Sequence, residues 1–302
     1  MKTLFLPLIL SLFTVTNLFA NDSRAEEVLK QAREAIGGER LQKIESLYIN
    51  GQYRRVFGDR QMGGDREISI ALPDKYLVED SMTPGGMATS LTNTRGLNGE
   101  RAWSASSGGG GMVIRFGGPG GPGGAQPTPE QLAAAQGRMY QAEFSRYLLA
   151  MLLAPPPSLQ VEFKYAGESD VEELPADVVD VIGPDRFSVR IFFDKKTHLP
   201  LLLSYRGPKP RIFTTTRQGG ERASAEDIKK ARDEAEKKMQ AEAPAVPEEV
   251  DFFIRLSDHR KVDGVMLPHK FTFMAESEVS EEFEVSKYQV NPQFKADKFQ
   301  KH

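Results

Sequence analysis

The sequence predicts an antiparallel β fold with helices packed on it, chiefly because apolar and polar residues alternate within residues 178–205. The apolar positions of this pattern are Phe187, Val189, Ile191 and Phe193, followed by Leu199, Leu201, Leu203 and Tyr205. Alternation with a period of two is typical of strands that bury one face. The polar segment DKKTH separates the two runs, which predicts a hairpin.

A second stretch, residues 251–274, repeats this layout. Apolar residues alternate on both sides of a charged turn that ends in Asp263 and Gly264, and in both copies the outgoing strand begins with a Leu-Pro pair, at Pro200 and Pro268. Proline cannot donate a hydrogen bond to a ladder, so it is expected at the first residue of a strand or on an edge. The two copies indicate repeated strand–turn–strand units within one sheet.

The N-terminal residues 1–20 have the pattern of a secretory signal peptide. Lys2 precedes the apolar run LFLPLILSLF, and the segment ends at Ala20 before polar residues. An uncleaved anchor is the alternative, and the small residue at the cleavage position disfavours it. We therefore predict a periplasmic mature chain, residues 21–302, that forms a single domain and is a monomer.

Composition excludes several classes of function. The sequence contains no cysteine, which excludes disulfides, thiolate chemistry and a lipid-modified N-terminal cysteine. The net charge of −3 is spread along the chain and provides no basic surface for nucleic acid. We expect no nucleic-acid partner.

Several elements follow the predicted signal peptide in order. A capping box beginning at Ser23 predicts a first helix, which should end at Gly37 and Gly38. The segments EISIAL, KYLVEDSM and TSLTNTRGL predict strands, and Asn98-Gly99 predicts a tight hairpin. After the strand QVEFKYAG we expect ESDVEELPAD to be an acidic linker.

Two segments differ in composition from the rest of the chain. Residues 107–127 are rich in glycine and proline, which predicts a flexible loop. The loop contains a formal G-x-G-x-x-G, but two prolines interrupt it and no helix opens within it, so low complexity is favoured over a phosphate site. Residues 219–249 alternate in charge with almost no apolar face, which predicts a solvated helical insertion.

The segment from Thr128 to Leu153 predicts a long helix, with a capping residue, a proline at the first helical position and Gln131 at the third. Its second half carries an apolar stripe formed by Phe144, Tyr147, Leu148, Met151 and Leu152. Such a stripe usually packs on a sheet as ordinary core. The alternative is a helix that covers an apolar cavity.

No catalytic or metal-binding motif occurs in the sequence. G-x-S-x-G, Walker, H-E-x-x-H and paired-cysteine patterns are all missing. Of the histidines, His198 and His259 are expected in turns and His302 is terminal, so only His269 is expected within a strand. We predict neither catalytic residues nor a metal or cofactor.

The sequence resembles the periplasmic lipoprotein-carrier superfamily of LolA/LolB-like proteins. The resemblance lies in AIGG with ERLQKIESLYINGQY, in IALPDKYLVE followed by NGERAW, and in the closing VNPQFKADKF. It implies a curved antiparallel sheet that forms an incomplete β-barrel, with helices as a lid over a cavity for acyl chains. The residues expected to line that cavity are Phe144, Tyr147, Leu148, Met151, Leu152, Phe187, Val189, Ile191, Leu201 and Leu203.

The chain departs from this family at one position. The carriers have an arginine just before the proline of the segment similar to LPDKY, and Leu72 occupies that position here. An arginine-dependent lid is therefore not expected to carry over. We predict a non-enzymatic binding protein for lipid or lipoprotein acyl chains, with a role in outer-membrane lipoprotein sorting. The alternatives are an envelope protein-interaction or sensor module and, more weakly, a hydrolase with an unrecognised site.

Overall fold

The computed structural model describes residues 16–57, 60–82, 90–107, 128–209 and 248–301. The helices are α1 (Thr16–Ile36), a 3₁₀ helix (Gly38–Lys43) and α2 (Pro129–Leu152). The strands are β1 (Ser46–Phe57), β2 (Arg60–Ala71), β3 (Lys75–Met82), β4 (Leu91–Asn98), β5 (Arg101–Ser107), β6 (Glu162–Val171), β7 (Leu174–Ile182), β8 (Ser188–Asp194), β9 (Pro200–Pro208), β10 (Glu249–Val262), β11 (Val265–Ala275) and β12 (Glu278–Val290).

All twelve strands form one antiparallel sheet in the order β5-β4-β3-β2-β1-β12-β11-β10-β9-β8-β7-β6. Strands β1–β5 and β6–β12 are two meanders, and the pairing of β1 with β12 joins them at the centre. The two edge strands, β5 and β6, are consecutive in the sequence, and α2 lies between them in the chain. The sheet is open, which confirms the predicted antiparallel fold with an incomplete barrel.

The sheet curves strongly around α2. Glu143 on α2 contacts Arg95 on β4, and Arg146, one helical turn later, contacts Tyr205 on β9. In a flat sheet these two strands, seven places apart in the sheet order, would be separated by about 34 Å. One turn of helix advances only about 5 Å, so both contacts require a curved sheet. Gly51 lies at a bulge in β1, where a Cβ atom would stand 2.1 Å from the Glu284 carbonyl oxygen.

The predicted hairpins are present. The β4–β5 turn has Gly99 at a φ of 61°, and the β10–β11 turn has Asp263 and Gly264 at φ values of 48° and 87°. Left-handed angles at both positions explain the Asp-Gly pair, and in the β4–β5 turn Gly99 alone adopts one, while Asn98 pairs with Arg101 as the last residue of β4. Helix α2 is also confirmed, because Thr128 and Gln131 form the predicted capping box.

Three local predictions were wrong. The segment ESDVEELPAD is a β6–β7 hairpin that turns at Glu172 and Glu173, because an edge strand can hold polar side chains in solvent while its backbone pairs. His259 lies within β10, where it pairs with Pro268, because the strand continues past a left-handed Asp258. Helix α1 passes through the capping box at Ser23, because residues from Thr16 onward are already helical.

The apolar core lies between the sheet and the two helices. Helix α1 buries the apolar residues Ala25, Val28, Leu29, Ala32 and Ile36 and packs on β6 and β11. No helix within the described ranges is long and apolar enough to span a membrane. The predicted loop at 107–127 (apart from Ser107), the segment RIFTTTRQ, and the insertion at 219–249 (apart from its last residues) lie outside the described residues.

Candidate functional site

The underside of α2 rests on aromatic rings from both meanders. The ring of Tyr76 on β3 stacks on Phe144 with centroids 5.3 Å apart, and it also meets Tyr147 at 6.0 Å. On the other side, Tyr147 meets Phe271 of β11 at 5.8 Å and Phe273 at 6.4 Å. Helix α2 therefore covers the centre of the sheet, where the two meanders join.

The structure gathers the predicted cavity-lining residues into one apolar cluster, with the exception of Leu201, which is half-buried. The buried members are Phe144, Tyr147, Leu148, Met151, Leu152, Phe187, Val189, Ile191 and Leu203. Leu148 and Met151 keep 1% and 0% of their surface exposed. In this closed arrangement the side chains of α2 fill the space against the sheet, and the binding role of these residues stays a prediction.

The C-terminal half of α2 meets a polar group at the edge of the cluster. The hydroxyl of Tyr288 donates to the carbonyl of Pro268 at 2.6 Å and lies 4.0 Å from the sulfur of Met151. His269 packs edge-on against Tyr288, and its Nδ1 lies 3.0 Å from the Leu267 carbonyl. His269 is therefore a buried packing residue with a backbone partner.

A buried ion cluster crosses the sheet beside the apolar cluster that lies beneath α2. Arg66 on β2 is 1% exposed, and its Nε and Nη2 donate to the carboxylate of Asp80 on β3 at 2.6 and 3.0 Å. The same guanidinium donates to Glu281 on β12, which also accepts from Arg55 at 2.7 Å. The Arg66 guanidinium lies over the ring of Tyr53, 4.8 Å from its centroid. Each buried charge therefore has a bonded counter-ion, as burial requires.

Helix α2 joins this cluster through Glu143. Arg95 on β4 donates to Asp80 at 3.1 Å and to Glu143 at 2.8 Å, and the hydroxyl of Tyr76 donates to Glu143 at 2.9 Å. With Arg55, Arg66 and Arg95 opposite Asp80, Glu281 and Glu143, the cluster has no net formal charge. Glu143 is the acidic group by which the helix is attached to the sheet.

Electrostatics keep Asp80 and Glu281 of the cluster ionised. Burial opposes ionisation of Asp80, but the guanidiniums of Arg66 and Arg95 bring the pKa of Asp80 well below its ordinary value. Burial acts in the same way on Glu281, and Arg66 together with Arg55 lowers the pKa of Glu281. Burial raises the pKa of Tyr53 to about 12. The cluster therefore consists of ion pairs at neutral pH.

Sequence reasoning missed this cluster, although the strand pattern contains a sign of it. In the alternation of its strand, Arg66 falls on the same face as Ile68 and Ile70, and Asp80 falls on the same face as Val78. Charged residues at the inward positions of otherwise alternating strands indicate buried ionic groups. What the pattern cannot give is the pairing, because Glu281 comes from a strand 215 positions away in the sequence.

A cavity of about 280 Å³ lies away from α2, at the end of the 3₁₀ helix. Its lining includes Arg40, Lys43, Asp263, Val265 and Asn291. Within the described ranges, no group of His, Asp and Glu side chains could hold a metal ion.

Comparison with known proteins gives matches in structure alone. No family model matches the sequence, and no curated protein matches it. A LolA superfamily protein from Nitrosomonas europaea aligns at a TM-score of 0.45 and 10% identity, over 92% of this chain and 97% of that one. An outer membrane lipoprotein-sorting protein domain from Vibrio parahaemolyticus also aligns at 0.45 and 10%, over 93% and 97%.

A structure of the MucA/MucB complex of Pseudomonas aeruginosa aligns at a TM-score of 0.22 and 14% identity, over 89% of this chain and 100% of that one. At these identities and TM-scores, function has to be inferred from the residues of this chain.

Proposed function

We propose that this chain is a periplasmic, non-enzymatic binding protein for acyl chains of lipids or lipoproteins, which it takes up between α2 and the sheet. The observation that carries the proposal is the attachment of α2. Its underside is apolar and rests on aromatic rings of both meanders, while Glu143 is its acidic attachment to the ion cluster. Such a face can exchange protein contacts for contacts with an acyl chain.

The exchange is energetically reasonable. Transfer of one methylene from water to an apolar site contributes about 0.8 kcal/mol, so a chain of about fourteen carbons gains at most roughly 11 kcal/mol before the entropy lost on association is subtracted. This gain is comparable with the ~5–15 kcal/mol stability of a whole domain. An incoming acyl chain can therefore offset the separation of α2 from the sheet.

The surroundings of α2 are suited to such a movement. When Glu143 leaves, Arg95 keeps Asp80 as a hydrogen-bond partner, and the three arginines of the cluster then share the two carboxylates of Asp80 and Glu281. At the other end of the helix, Leu153 has a left-handed conformation and residues 155–157 are prolines, which fixes a sharp end to α2. We propose that α2 pivots at this end and lifts from the sheet at its Glu143 side.

A covalent restraint on α2 tests this proposal. Gln136 on α2 donates to Ser104 on β5 at 3.1 Å, so the double variant Gln136→Cys/Ser104→Cys can be joined by a short bis-maleimide. The sequence contains no cysteine, so these are the sole thiols. We expect the crosslinked protein to bind a fluorescent fatty acid at least about tenfold more weakly than the same variant before crosslinking.

The matched control is Ser106→Cys/Asn93→Cys, which joins β5 to β4 where these side chains bond at 2.8 Å and leaves α2 free. This crosslink should leave binding unchanged. Equal binding by the α2-crosslinked and free forms would show that α2 does not open for the ligand. No binding by the uncrosslinked protein would overturn the proposed function.

A second candidate function is binding of an envelope protein, and the close packing beneath α2 favours it. A protein-interaction module is expected to have a filled core, and Phe144, Leu148 and Met151 are almost completely buried. Native mass spectrometry of protein purified from its own envelope separates the two. A co-purified lipid mass supports the acyl-chain proposal, and a stoichiometric protein mass without lipid supports this second candidate.

A further inference from the structure

Arg146 on α2 differs from the arginines of the ion cluster. Its guanidinium carbon lies 3.7 Å from the centroid of the Tyr205 ring and 6.0 Å from that of Phe187. Its Nε is buried without a hydrogen-bond partner, and no carboxylate of the described residues pairs with it. Arg146 is therefore a cation held against aromatic rings without a counter-ion in the described part of the chain.

Burial of this cation is electrostatically unfavourable. Burial lowers the pKa of Arg146, and Tyr205 and Glu143 oppose this shift. A guanidinium on a ring face gains a cation–π attraction, but the ring offers no acceptor for the N–H groups. The five N–H donors of a guanidinium lie in its own plane, so stacking on Tyr205 does not itself occupy them.

The position of Arg146 relates it to the proposed acyl-chain site. It lies one turn beyond Glu143 and directly before Tyr147, whose ring belongs to the apolar underside of α2. The ring of Tyr205 is itself stacked on Phe252 of β10 at 5.1 Å. An aromatic platform with a cation that no described carboxylate pairs thus borders the apolar face, which is the arrangement that an amphiphile with an anionic head group requires.

We propose that Arg146, on the platform of Tyr205 and Phe187, binds the phosphate or carboxylate head group of the ligand whose acyl chain lies beneath α2. This assignment rests on the proposed acyl-chain function and narrows it to acidic amphiphiles. A planar guanidinium binds both phosphate and carboxylate through paired N–H donors.

Chain-matched probes test the assignment through displacement of a bound fluorescent fatty acid. The probes are dodecyl phosphate, dodecanoate and the neutral ester monododecanoyl glycerol. Inorganic phosphate is tested separately as a competitor without an acyl chain. The full-length mature protein should bind the two anionic chains about tenfold more tightly than the neutral chain, since charge-assisted hydrogen bonds are strong. Inorganic phosphate alone should not displace the fatty acid.

The variant Arg146→Gln should lose the preference for anionic chains and keep its affinity for the neutral chain, whereas Arg146→Lys should retain part of the preference. Arg138→Gln is the matched control, because Arg138 is exposed on the same helix, and it should behave like the parent protein. If Arg146→Gln does not fold, the preference of the parent protein for anionic chains, and the part of it that Arg146→Lys retains, still test the head-group site.

Equal binding of anionic and neutral chains by the parent protein would overturn the head-group site while leaving the acyl-chain function intact. A preference that survives in Arg146→Gln would overturn it as well, as would inorganic phosphate binding as tightly as dodecyl phosphate. Binding of none of the chains would instead overturn the proposed function itself.

Discussion

Arg95 on β4 donates to Glu143 on α2 at 2.8 Å. This pair connects the helix to an ion cluster that spans five neighbouring strands of the sheet, β4, β3, β2, β1 and β12. Arg95 reaches Asp80 through its other amino group, at 3.1 Å, and Asp80 in turn binds Arg66. The position of α2 is therefore electrostatically coupled to the centre of the sheet.

The substitution Glu143→Gln should loosen α2 without unfolding the sheet. It removes a charge that accepts from Arg95 and Tyr76, and we expect a stability loss of about 1–3 kcal/mol because hydrogen bonds to charged groups contribute about this much. Hydrogen exchange should accelerate in α2 before it does in the strands. Glu278→Gln, at an exposed residue of β12, is the control, and equal exchange of α2 in both variants would contradict the coupling.

Truncation beneath α2 distinguishes a movable helix from an ordinary core. In a close-packed core, Leu or Met to Ala costs ~2–5 kcal/mol. Because a helix that opens locally limits the loss to the free energy of its own opening, we expect Leu148→Ala and Met151→Ala to lose less than this in spite of their close packing, measured by urea unfolding, together with weaker uptake of a fluorescent fatty acid. Met139, 51% exposed on the same helix, supplies the control Met139→Ala. A loss within the full core range, with no fatty-acid binding by the parent protein, would instead support the interaction module.

Acid should destabilise the protein through the ion cluster. The pKa values of Asp80 and Glu281 are lowered on folding, so below about pH 5 the unfolded chain binds protons that the folded chain does not, and stability falls as the pH drops. Asp80→Asn should flatten the pH dependence of the unfolding free energy between about pH 5 and 2, and should cost roughly 3–5 kcal/mol at neutral pH because Arg66 and Arg95 each lose one of their two carboxylate partners. Asp65→Asn, at an exposed position on β2, should keep the slope of the parent.

His259 should make the stability of the fold depend on pH in a second, higher range. Burial lowers the pKa of His259 to about 4, and its Nε2 has no hydrogen-bond partner among the described residues. Between about pH 7 and 4 the unfolded chain binds a proton there that the folded chain does not, so stability decreases by about 2 kcal/mol as the pH falls through this range.

The substitution His259→Gln should remove this component of the slope. The control is His198→Asn, which should leave this component of the slope in place. His198 lies in a turn at a φ of 58°, which asparagine tolerates, so the control variant should fold. Unfolding titrations at several pH values in this range measure both effects. An unchanged slope in His259→Gln would assign the titration to another group.

Processing at the N-terminus should occur after Ala20. Helix α1 begins at Thr16, so cleavage there removes its first residues and leaves intact the buried residues from Ala25 onward. Ser23 would then lie near the new helix start, where it can cap the helix. The intact mass of the exported protein should correspond to residues 21–302, and a mass that includes residues 1–20 would contradict this prediction.

The sequence alone determined most of the local structure. The alternation around Val189 and Leu203, the Asn98-Gly99 and Asp263-Gly264 turns, and the capping box at Thr128 all depend on neighbours within a few residues, so they could be predicted. The turn of the β6–β7 hairpin was missed because the segment ESDVEE around it is almost wholly polar and β6, at the edge of the sheet, buries little there.

The tertiary structure decided which distant groups meet. Arg66 pairs with Glu281 because β1 and β12 join the two meanders, and Arg146 reaches Tyr205 because the sheet curves around α2. Neither contact follows from periodicity, since strand order and curvature depend on the packing of the whole sheet against the helices. Local alternation assigns a face to each side chain, and long-range pairing then determines which charge or ring lies opposite it.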